Sequence, residues 1–587
     1  MQTVVTFEDS RRLTGFNLYF DAVGAVLESV GEIPDTTRLH AWKTRVEQMR
    51  AQLGWPDGHV LWRIHASGAS LALSAPVDQL FTATEVNEWA WLASIAAARR
   101  ETFHAPGHAA AWDEDSALHT LRAVAAGEHN PKLATLLSEA ASRQLTALLD
   151  EDELSIGLGT GSRRWPLSDL PAVDAIDWSG LHDIPLALIT GSNGKTTTVR
   201  LLAAMVRAHG QKVGYSSTDG LVIGSQNIEA GDYSGPAGAR TVLRHHDVEL
   251  AILETARGGI LRRGLGVSRA QVAVVTNVSV DHFGEYGIHD LDALAEVKLV
   301  VAHTLGSSGL LVLNADDTLL VRHAQKLPCA IAWFSLDDSN PILRAHREQG
   351  GATCGVRGGH LFLSMHGETR DLGKVADMPL TFSGSATYNV ANIGAAVLSA
   401  MALGISVATI TAVLANFGAA HSDNPGRLQH WQLGSLQVFL DYAHNAEGLR
   451  GLLDVAIRQR GSGRLSLVLG QAGNREDKEI RELARVAASF HPDHVVLKDI
   501  GAMLRGRAAG EVAAILRDEL MRAGMSDDVI VECLDEFAAA RSALAIARAD
   551  EVLVLPIHGS AARNDVVALL DQLLASGWQP GTDLPDA

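Results

Sequence analysis

Only three cysteines occur in the 587 residues, Cys329, Cys354 and Cys533, and they stand far apart. They form no CxxC pair and no disulfide framework, which suits a reducing cytoplasm and predicts a cytoplasmic protein. No run of about 18 uncharged apolar residues is present, so no membrane span is predicted. The opening "MQTVVTFEDSRRLTG" lacks the apolar region of a signal peptide. Positive charge is short: 49 Lys and Arg face 68 Asp and Glu, a formal net charge of -19. That balance argues against non-specific binding to nucleic acid or anionic membranes. If the substrates are anions, the site must supply its own positive charge. Internal repeats and long low-complexity linkers are missing too. The 24 histidines are scattered, so most belong to the surface or to a satisfied core.

What is there is an α/β pattern in three units. Residues 1–175 form a mixed α+β unit rich in Trp and in helical patterns such as "LHAWKTRVEQMRAQLG". "VLWRIHASGASLALSAP" reads as two short strands and a turn, and "TEVNEWAWLASIAAARRE" as a helix capped by Thr84 or Thr82. Residues 176–424 alternate near-continuous apolar runs ("IPLALIT", "VELAILE", "QVAVVTN", "GLLVLNADD") with helical patterns. Such runs are what a parallel sheet covered on both faces requires. Residues 350–378 read instead as a small antiparallel excursion. Residues 425–587 repeat the α/β alternation in a second, Rossmann-like layer structure.

The chemistry starts at "LALITGSNGKTTTVR". A glycine-rich turn follows an apolar strand and opens a helix, the context of a phosphate-binding loop. Gly191, Asn193, Gly194, Lys195, Thr196 and Thr197 would cradle a nucleotide phosphate through successive N–H groups and the helix N-terminus. Lys195 supplies a mobile charge, and Thr196 is placed to reach Mg²⁺. The spacing is one residue shorter than GxxxxGK[ST]. Other strands of this unit end in polar residues: Glu254, then Thr276 and Asn277 followed by Asp281 and His282, then Asn314, Asp316 and Asp317. In a parallel sheet these ends share one edge, where ligands bind. Glu254 is read as a metal ligand. His282 is either a second ligand, oriented by Asp281, or a helix cap or general base, since Mg²⁺ prefers oxygen.

Lys298, in the apolar helix "ALAEVKLVVAHTL", reads from periodicity as a lysine snorkelling from a half-buried face. In the third unit, "NPGRLQH" places Arg427 at the junction, and "FLDYAHN" ends a strand with Asp441, His444 and Asn445. "LGQAGNREDKEI" carries Arg475 and Asp477, and "KDIGAMLRGRAAGE" carries Lys498, Arg505 and Arg507. Three such clusters at successive strand ends favour an anion-binding face. Arg257, Arg262 and Arg263 in "ARGGILRRG" could hold a substrate carboxylate. Asp477 and Glu511 are candidates for an amine.

Together these residues resemble the Mur ligase family, over about residues 185 to 540. "TGSNGKTT" is similar to its phosphate loop and "TNVSVDHFG" to its TN-x-x-x-DH segment. "YNVANIGAA" is similar to its HN-x-x-N helix, with Tyr388 in place of the histidine. "NPGRLQ" and "DYAHN" resemble the segments that open its C-terminal domain. The resemblance implies ATP and Mg²⁺, and a carboxylate joined to an amine such as an amino acid. It implies Glu254 and His282 as magnesium ligands, Asn389 at adenine, and Arg427 and Asp441 at the γ-phosphate or ribose. It also implies that Lys298 is carbamylated near a second magnesium, which displaces the snorkelling reading. Within the family, "GDYSGPAGAR", "LETARGGILRRGLG" and "LRGRAAGE" resemble the cyanophycin synthetases, as do the first 170 residues. The ATP-grasp domain of those enzymes has no room between Pro171 and Thr190, so one ligation site is missing and a separate ATP-grasp enzyme is a candidate partner. Asn474 stands where Asp is usual. The N-terminal unit would dock an extended substrate or form a homo-oligomer. The alternatives are a folate or γ-glutamyl-type ligase, an ATPase or carbohydrate-type kinase, and a scaffold that has lost catalysis.

Overall fold

The apolar runs of the central unit become strands buried on both faces. In a computed structural model that describes residues 7–104, 112–281 and 283–585, the strands form four sheets among the described residues. The largest has eleven strands. Its parallel heart runs in the order Val213–Ser217, Leu250–Glu254, Leu186–Thr190, Ala270–Val275, Leu305–Asn314, Ala330–Ser335, Thr353–Arg357. Alternate residues of one strand enter different cores. Leu186 and Leu188 join one hydrophobic cluster, Ala187 and Ile189 the other. This is why the sequence shows unbroken apolar runs rather than a period of two. Helices Lys195–Ala208 and Thr387–Ala402 cover one face; Pro236–Leu243, Arg257–Arg263 and Leu291–Leu299 cover the other. The sheet is extended antiparallel at both edges, by Gly220–Ile223 and Gln226–Ala230 and by His360–Met365 and Glu368–Lys374. The second of these is the excursion expected at 350–378.

Strand Leu186–Thr190 lies between Leu250–Glu254 and Ala270–Val275; the chain runs from it to one side, through Val213–Ser217 and Leu250–Glu254, and then crosses to Ala270–Val275 on the other. The crevice at its carboxyl end is therefore a topological switch point, where open α/β sheets bind ligands. A six-stranded sheet spans Gln429–Leu433 to Val552–Pro556 and is parallel except for its first strand.

The described residues of 1–175 hold three separate hydrophobic clusters rather than one, the smallest of them Leu13, Phe20, Val26 and Ala72. The four-stranded antiparallel sheet Phe7–Leu13, Gly24–Val30, Gly68–Ser74, Val60–His65 packs on helices Thr36–Gln52 and Leu80–Arg99. A three-stranded sheet, Ala147–Leu149 to Arg163–Pro166, has its own cluster, while Leu148 and Leu158 enter the central core. The first segment is bonded to the central unit through its backbone: Thr14 N donates to Arg263 O and Leu265 N to Phe16 O, both at 2.7 Å. Among the described residues no helix is long and apolar enough to cross a membrane.

The expected caps Thr82 and Thr84 lie inside helix Leu80–Arg99, whose N-cap is Gln79. The cap is non-local: Glu128, on a neighbouring helix, accepts from Phe81 N, Thr82 N and Thr82 Oγ1 at 2.9, 2.7 and 2.5 Å. A carboxylate at a helix N-terminus satisfies the orphan N–H groups and the dipole together. Nothing in the local sequence could announce it.

Lys498, expected on an anion-binding face, is instead fully enclosed in the C-terminal core. Its ammonium donates to Glu536 Oε1 at 2.5 Å and to His558 Nδ1 at 3.0 Å. That fixes the proton of His558 on Nε2, which donates to Ala443 O at 3.1 Å. Lys498→Met leaves the Glu536 carboxylate buried without its cation. The expected loss of stability is about 3–5 kcal/mol, read as a lower urea midpoint at unchanged slope. Burial, then Lys498, draws the His558 imidazole down to about 4. The unfolded chain therefore holds one more proton than the native one between about pH 6.5 and 4. Stability should be full above about pH 6.5 and fall as pH drops through that window, and His558→Gln should flatten the slope measured there by urea titration.

Candidate functional site

The phosphate loop joins strand Leu186–Thr190 to helix Lys195–Ala208. Gly194 has φ +86°, and a Cβ there would lie 2.1 Å from Asn392 Oδ1, so both conformation and space demand glycine. The loop is braced from below by the next strand end. Thr276 Oγ1 and Asn277 Nδ2 donate to Asn193 O at 2.6 and 3.1 Å, and Asn193 N donates to Asn277 Oδ1 at 2.9 Å. These braces keep the loop's shape without a phosphate. Lys195 Nζ lies 3.2 Å from both Gly191 O and Ser192 O, resting on the carbonyls of its own loop.

Beside the loop, Thr196 Oγ1 donates to Glu254 Oε2 at 2.9 Å, and Thr218 Oγ1 to Glu254 Oε1 at 2.6 Å. Glu254 is only 1% exposed. Thr218 is a residue the sequence reading missed, although it ends strand Val213–Ser217 as the other polar residues end theirs. A hydroxyl and a carboxylate are hard oxygen donors and fit Mg²⁺. Among the described residues no group of three His, Cys, Asp or Glu could hold a metal unaided. A magnesium ion here would complete its shell with phosphate oxygens and water, as it commonly does. His282 lies outside the described residues.

Lys298 does not snorkel. It is 2% exposed, and burial, then the charge of Lys195, pulls its ammonium far below the ordinary lysine range. Asp281 and Arg257 are the other charges that act on it. Asp281 itself reaches across to the C-terminal unit, 3.0 Å from Arg475 Nη2 and 3.8 Å from His444 Nε2. Arg257 is paired with Glu285, which also accepts from Asn474 Nδ2 at 3.0 Å.

The C-terminal unit closes the cleft. Asn445 Nδ2 donates to Asn193 Oδ1 at 3.0 Å, and Arg427 Nη2 lies 3.4 Å from Thr196 Oγ1. Arg427 is also held over the Tyr442 ring, 4.5 Å from its centre, and 3.3 Å from Asp219. Burial alone would raise the Asp219 carboxyl; Arg427, Arg200 and Arg563 overcome it and bring it down to about 2. Asp441 Oδ2 accepts from Leu428 N at 2.6 Å and Oδ1 from Ala443 N at 2.7 Å, so it shapes the junction. The cavity in this cleft has a volume of about 160 Å³, and its walls include Lys195, Thr196, Thr197, Glu254, Asn389, Arg427 and Asp441. Tyr388, the residue in place of the family histidine, lines it too, and its hydroxyl is buried without a hydrogen-bond partner among the described residues. Asn389 Nδ2 donates to Leu380 O at 2.9 Å and Oδ1 accepts from Asn392 Nδ2 at 3.1 Å.

A second, larger cavity of about 730 Å³ lies between the N-terminal sheet and the central unit, lined by Arg11, Arg12, Glu28, Arg262, Arg263, Glu285 and Tyr286 among others. Arg11 is neutralised by Glu28 at 2.7 Å. Arg262 Nε meets Tyr286 Oη at 3.3 Å and Arg263 Nη1 meets Arg12 O at 3.3 Å. Neither pairs with a carboxylate among the described residues. The amine candidates Asp477 and Glu511 are both already bonded to Arg507, at 2.6 and 2.7 Å.

With this geometry in view, residues 189–400 match the Mur ligase middle domain and residues 426–556 the Mur ligase glutamate ligase domain. The chain belongs to the Mur ligase family. It is 37% identical over 372 residues to a cyanophycin synthetase of Trichormus variabilis, covering 63% of this chain and 41% of that one. To a Synechocystis cyanophycin synthetase it is 37% identical over 377 residues, 64% of this chain and 42% of the other. It thus spans about two fifths of the cyanophycin synthetases it matches. It is 24% identical over 391 residues to the UDP-N-acetylmuramoyl-L-alanyl-D-glutamate–2,6-diaminopimelate ligase of Bacillus cereus, 64% of this chain and 74% of that one. Among solved structures, E. coli FolC in complex with DHPP and ADP is similar with a TM-score of 0.46 at 19% identity, covering 67% and 89% of the two chains.

Proposed function

We propose that this Mur ligase family member is an ATP-dependent, ADP-forming ligase that joins a substrate carboxylate to an amine through an acyl phosphate, in cyanophycin-like or other amino-acid-derived metabolism. The observation that carries the reading is the convergence of Lys195 and the Thr196–Glu254 pair on a cleft that Arg427 closes from the C-terminal side, with buried Lys298 close enough to feel the charge of Lys195.

A carboxylate oxygen attacks the γ-phosphorus of ATP and ADP departs. Lys195 leaves its loop carbonyls for the phosphates, and with Arg427 it offsets the charge that spreads over the transferring oxygens. The docked C-terminal unit keeps water from the acyl phosphate. The amine then attacks the acyl carbon and phosphate leaves, taking the bridging oxygen with it. Asn389, on the family likeness, and Tyr388, which lines the same cleft, would contact the nucleotide base. Thr196 and Glu254 would hold Mg²⁺, joined by His282 and a carbamylated Lys298 on the family likeness, and the ion would supply further positive charge at the phosphates. Arg262 and Arg263, two guanidiniums without carboxylates of their own, suit the acid substrate's carboxylate groups at the larger cavity.

The test is phosphate release with ATP, Mg²⁺ and a matrix of amino acids, short aspartyl or glutamyl peptides and folates, with product masses. Release that needs both an acid and an amine supports ligation. Release indifferent to the amine points to an ATPase or kinase and sinks it, and a product made only with folates moves the enzyme to the folate-type reading.

A further inference from the structure

We propose that Arg563 is a positioning residue of the phosphate site: it is the contact through which the C-terminal unit sets Asp219 and, through Asp219, Arg427. The proposal rests on the ligase reading above. Arg563 lies on helix Ser560–Ser576, in the stretch "HGSAARNDVV", which carries no motif signal.

Asp219 sits in the turn between strands Val213–Ser217 and Gly220–Ile223, one residue after Thr218, which holds Glu254. Three guanidiniums from three parts of the chain meet its carboxylate. Arg563 Nη2 donates to Oδ1 at 2.7 Å, Arg200 Nη2 donates to Oδ2 at 2.7 Å, and Arg427 Nη2 stands 3.3 Å from the same Oδ2. Arg200 belongs to the phosphate-loop helix and also donates to Pro425 O at 2.7 Å. Arg427 and Arg563 both lie over the ring of Tyr442, at 4.5 and 5.5 Å. With Oδ1 taken by Arg563, the carboxylate plane is fixed. Oδ2 is then held where Arg427 can share it while reaching Thr196.

The junction is shaped around this side chain. Gly426, of "NPGRLQ", has φ +69°, and a Cβ there would lie 2.8 Å from both Cδ and Nε of Arg563. The glycine before Arg427 thus leaves the gap through which the Arg563 stem passes. Arg563 is 9% exposed, and its Nη1 is buried with no hydrogen-bond partner among the described residues. A buried guanidinium that spends only part of its donor set, beside two others that share one carboxylate, is poor value for stability alone. It makes sense where like charges must be held together for an anion that arrives later.

The experiment compares wild type with Arg563→Met, Arg563→Lys, Asp219→Asn and the double variant Asp219→Asn/Arg563→Met. Arg563→Met should lower kcat about ten- to a hundredfold, because a small misplacement at this site is costly. KM for ATP should change less than about threefold. Arg563→Lys should recover part of the loss, since it keeps the charge without the fork. The double variant should be no slower than Asp219→Asn alone, because Arg563 acts through Asp219. Hydrogen exchange of the amides at 426–428 in ADP-bound protein, which needs no turnover, should rise in Arg563→Met. A wild-type kcat in folded Arg563→Met with unchanged exchange, or additive losses in the double variant, would overturn the proposal. Faster exchange in a protein that never ligates any acid–amine pair would sink only the ligase reading and leave the positioning role standing.

Discussion

Lys195→Ala is expected to lower acid- and amine-dependent phosphate release about a thousandfold, the scale of losing a donor aimed at developing charge. The side chain is placed for this and for little else. Its ammonium rests 3.2 Å from Gly191 O and Ser192 O, contacts that a phosphate replaces with far stronger ones. The loop keeps its shape without it, because Thr276 and Asn277 hold Asn193 and because Gly194 takes up the turn. The thermal midpoint of the free protein should therefore move little, by less than the equivalent of about 0.5 kcal/mol. Activity and stability separate cleanly in this variant. Full activity in Lys195→Ala would end the catalytic reading and favour a scaffold that has lost chemistry.

Lys298→Met is expected to abolish turnover without weakening the fold. A lysine 2% exposed, close enough to feel Lys195 and Arg257, cannot keep its proton cheaply. The carbamylation proposed on the family likeness would use the neutral amine: it adds to carbon dioxide, a C–N bond forms, one proton leaves, and an anionic carbamate results. Such an anion would offset the nearby charges of Lys195 and Arg257. Protein equilibrated with ¹³C-bicarbonate should show a carbamate carbon by NMR, and Lys298→Met should lack it. The same variant should lose at least about a hundredfold in kcat. Measured without bicarbonate, its urea midpoint should be unchanged or higher, since methionine then replaces a buried neutral amine of similar volume. A carbamate signal that survives in Lys298→Met, or a fully active variant, contradicts the assignment.

The sheet was readable because burial on both faces leaves nothing polar inside "LALI", "LAIL" or "VAVV", and because each polar residue at the carboxyl end of a strand falls at the same edge. The phosphate loop and Glu254 followed from that. The partners that complete the site were not readable, because sheet order and domain docking bring them together. Thr218 and Asp219 end a strand that is not next to the phosphate-loop strand, and Arg563 is 344 residues from Asp219. Helical periodicity places Lys298 on a face but cannot say that the face is fully covered. Lys498, at a strand end, reads as part of an anion-binding face but lies in the core, and Thr82 and Thr84 read as caps where Glu128 does that work from another helix; both outcomes depend on partners distant in sequence. The arginines of "ARGGILRRG" divide: Arg257 is taken by Glu285, while Arg262 and Arg263 face the larger cavity.

The central claim is that the γ-phosphoryl group passes to a carboxylate before the amide forms. It is tested most directly by oxygen transfer. An acid substrate labelled with ¹⁸O in the carboxylate is incubated with ATP, amine, Mg²⁺ and enzyme, and the released phosphate is analysed by mass. The acyl-phosphate route predicts one labelled oxygen per phosphate, carried over as the bridging atom. Phosphate that carries none of the acid's label, and takes its oxygen from water instead, would contradict it.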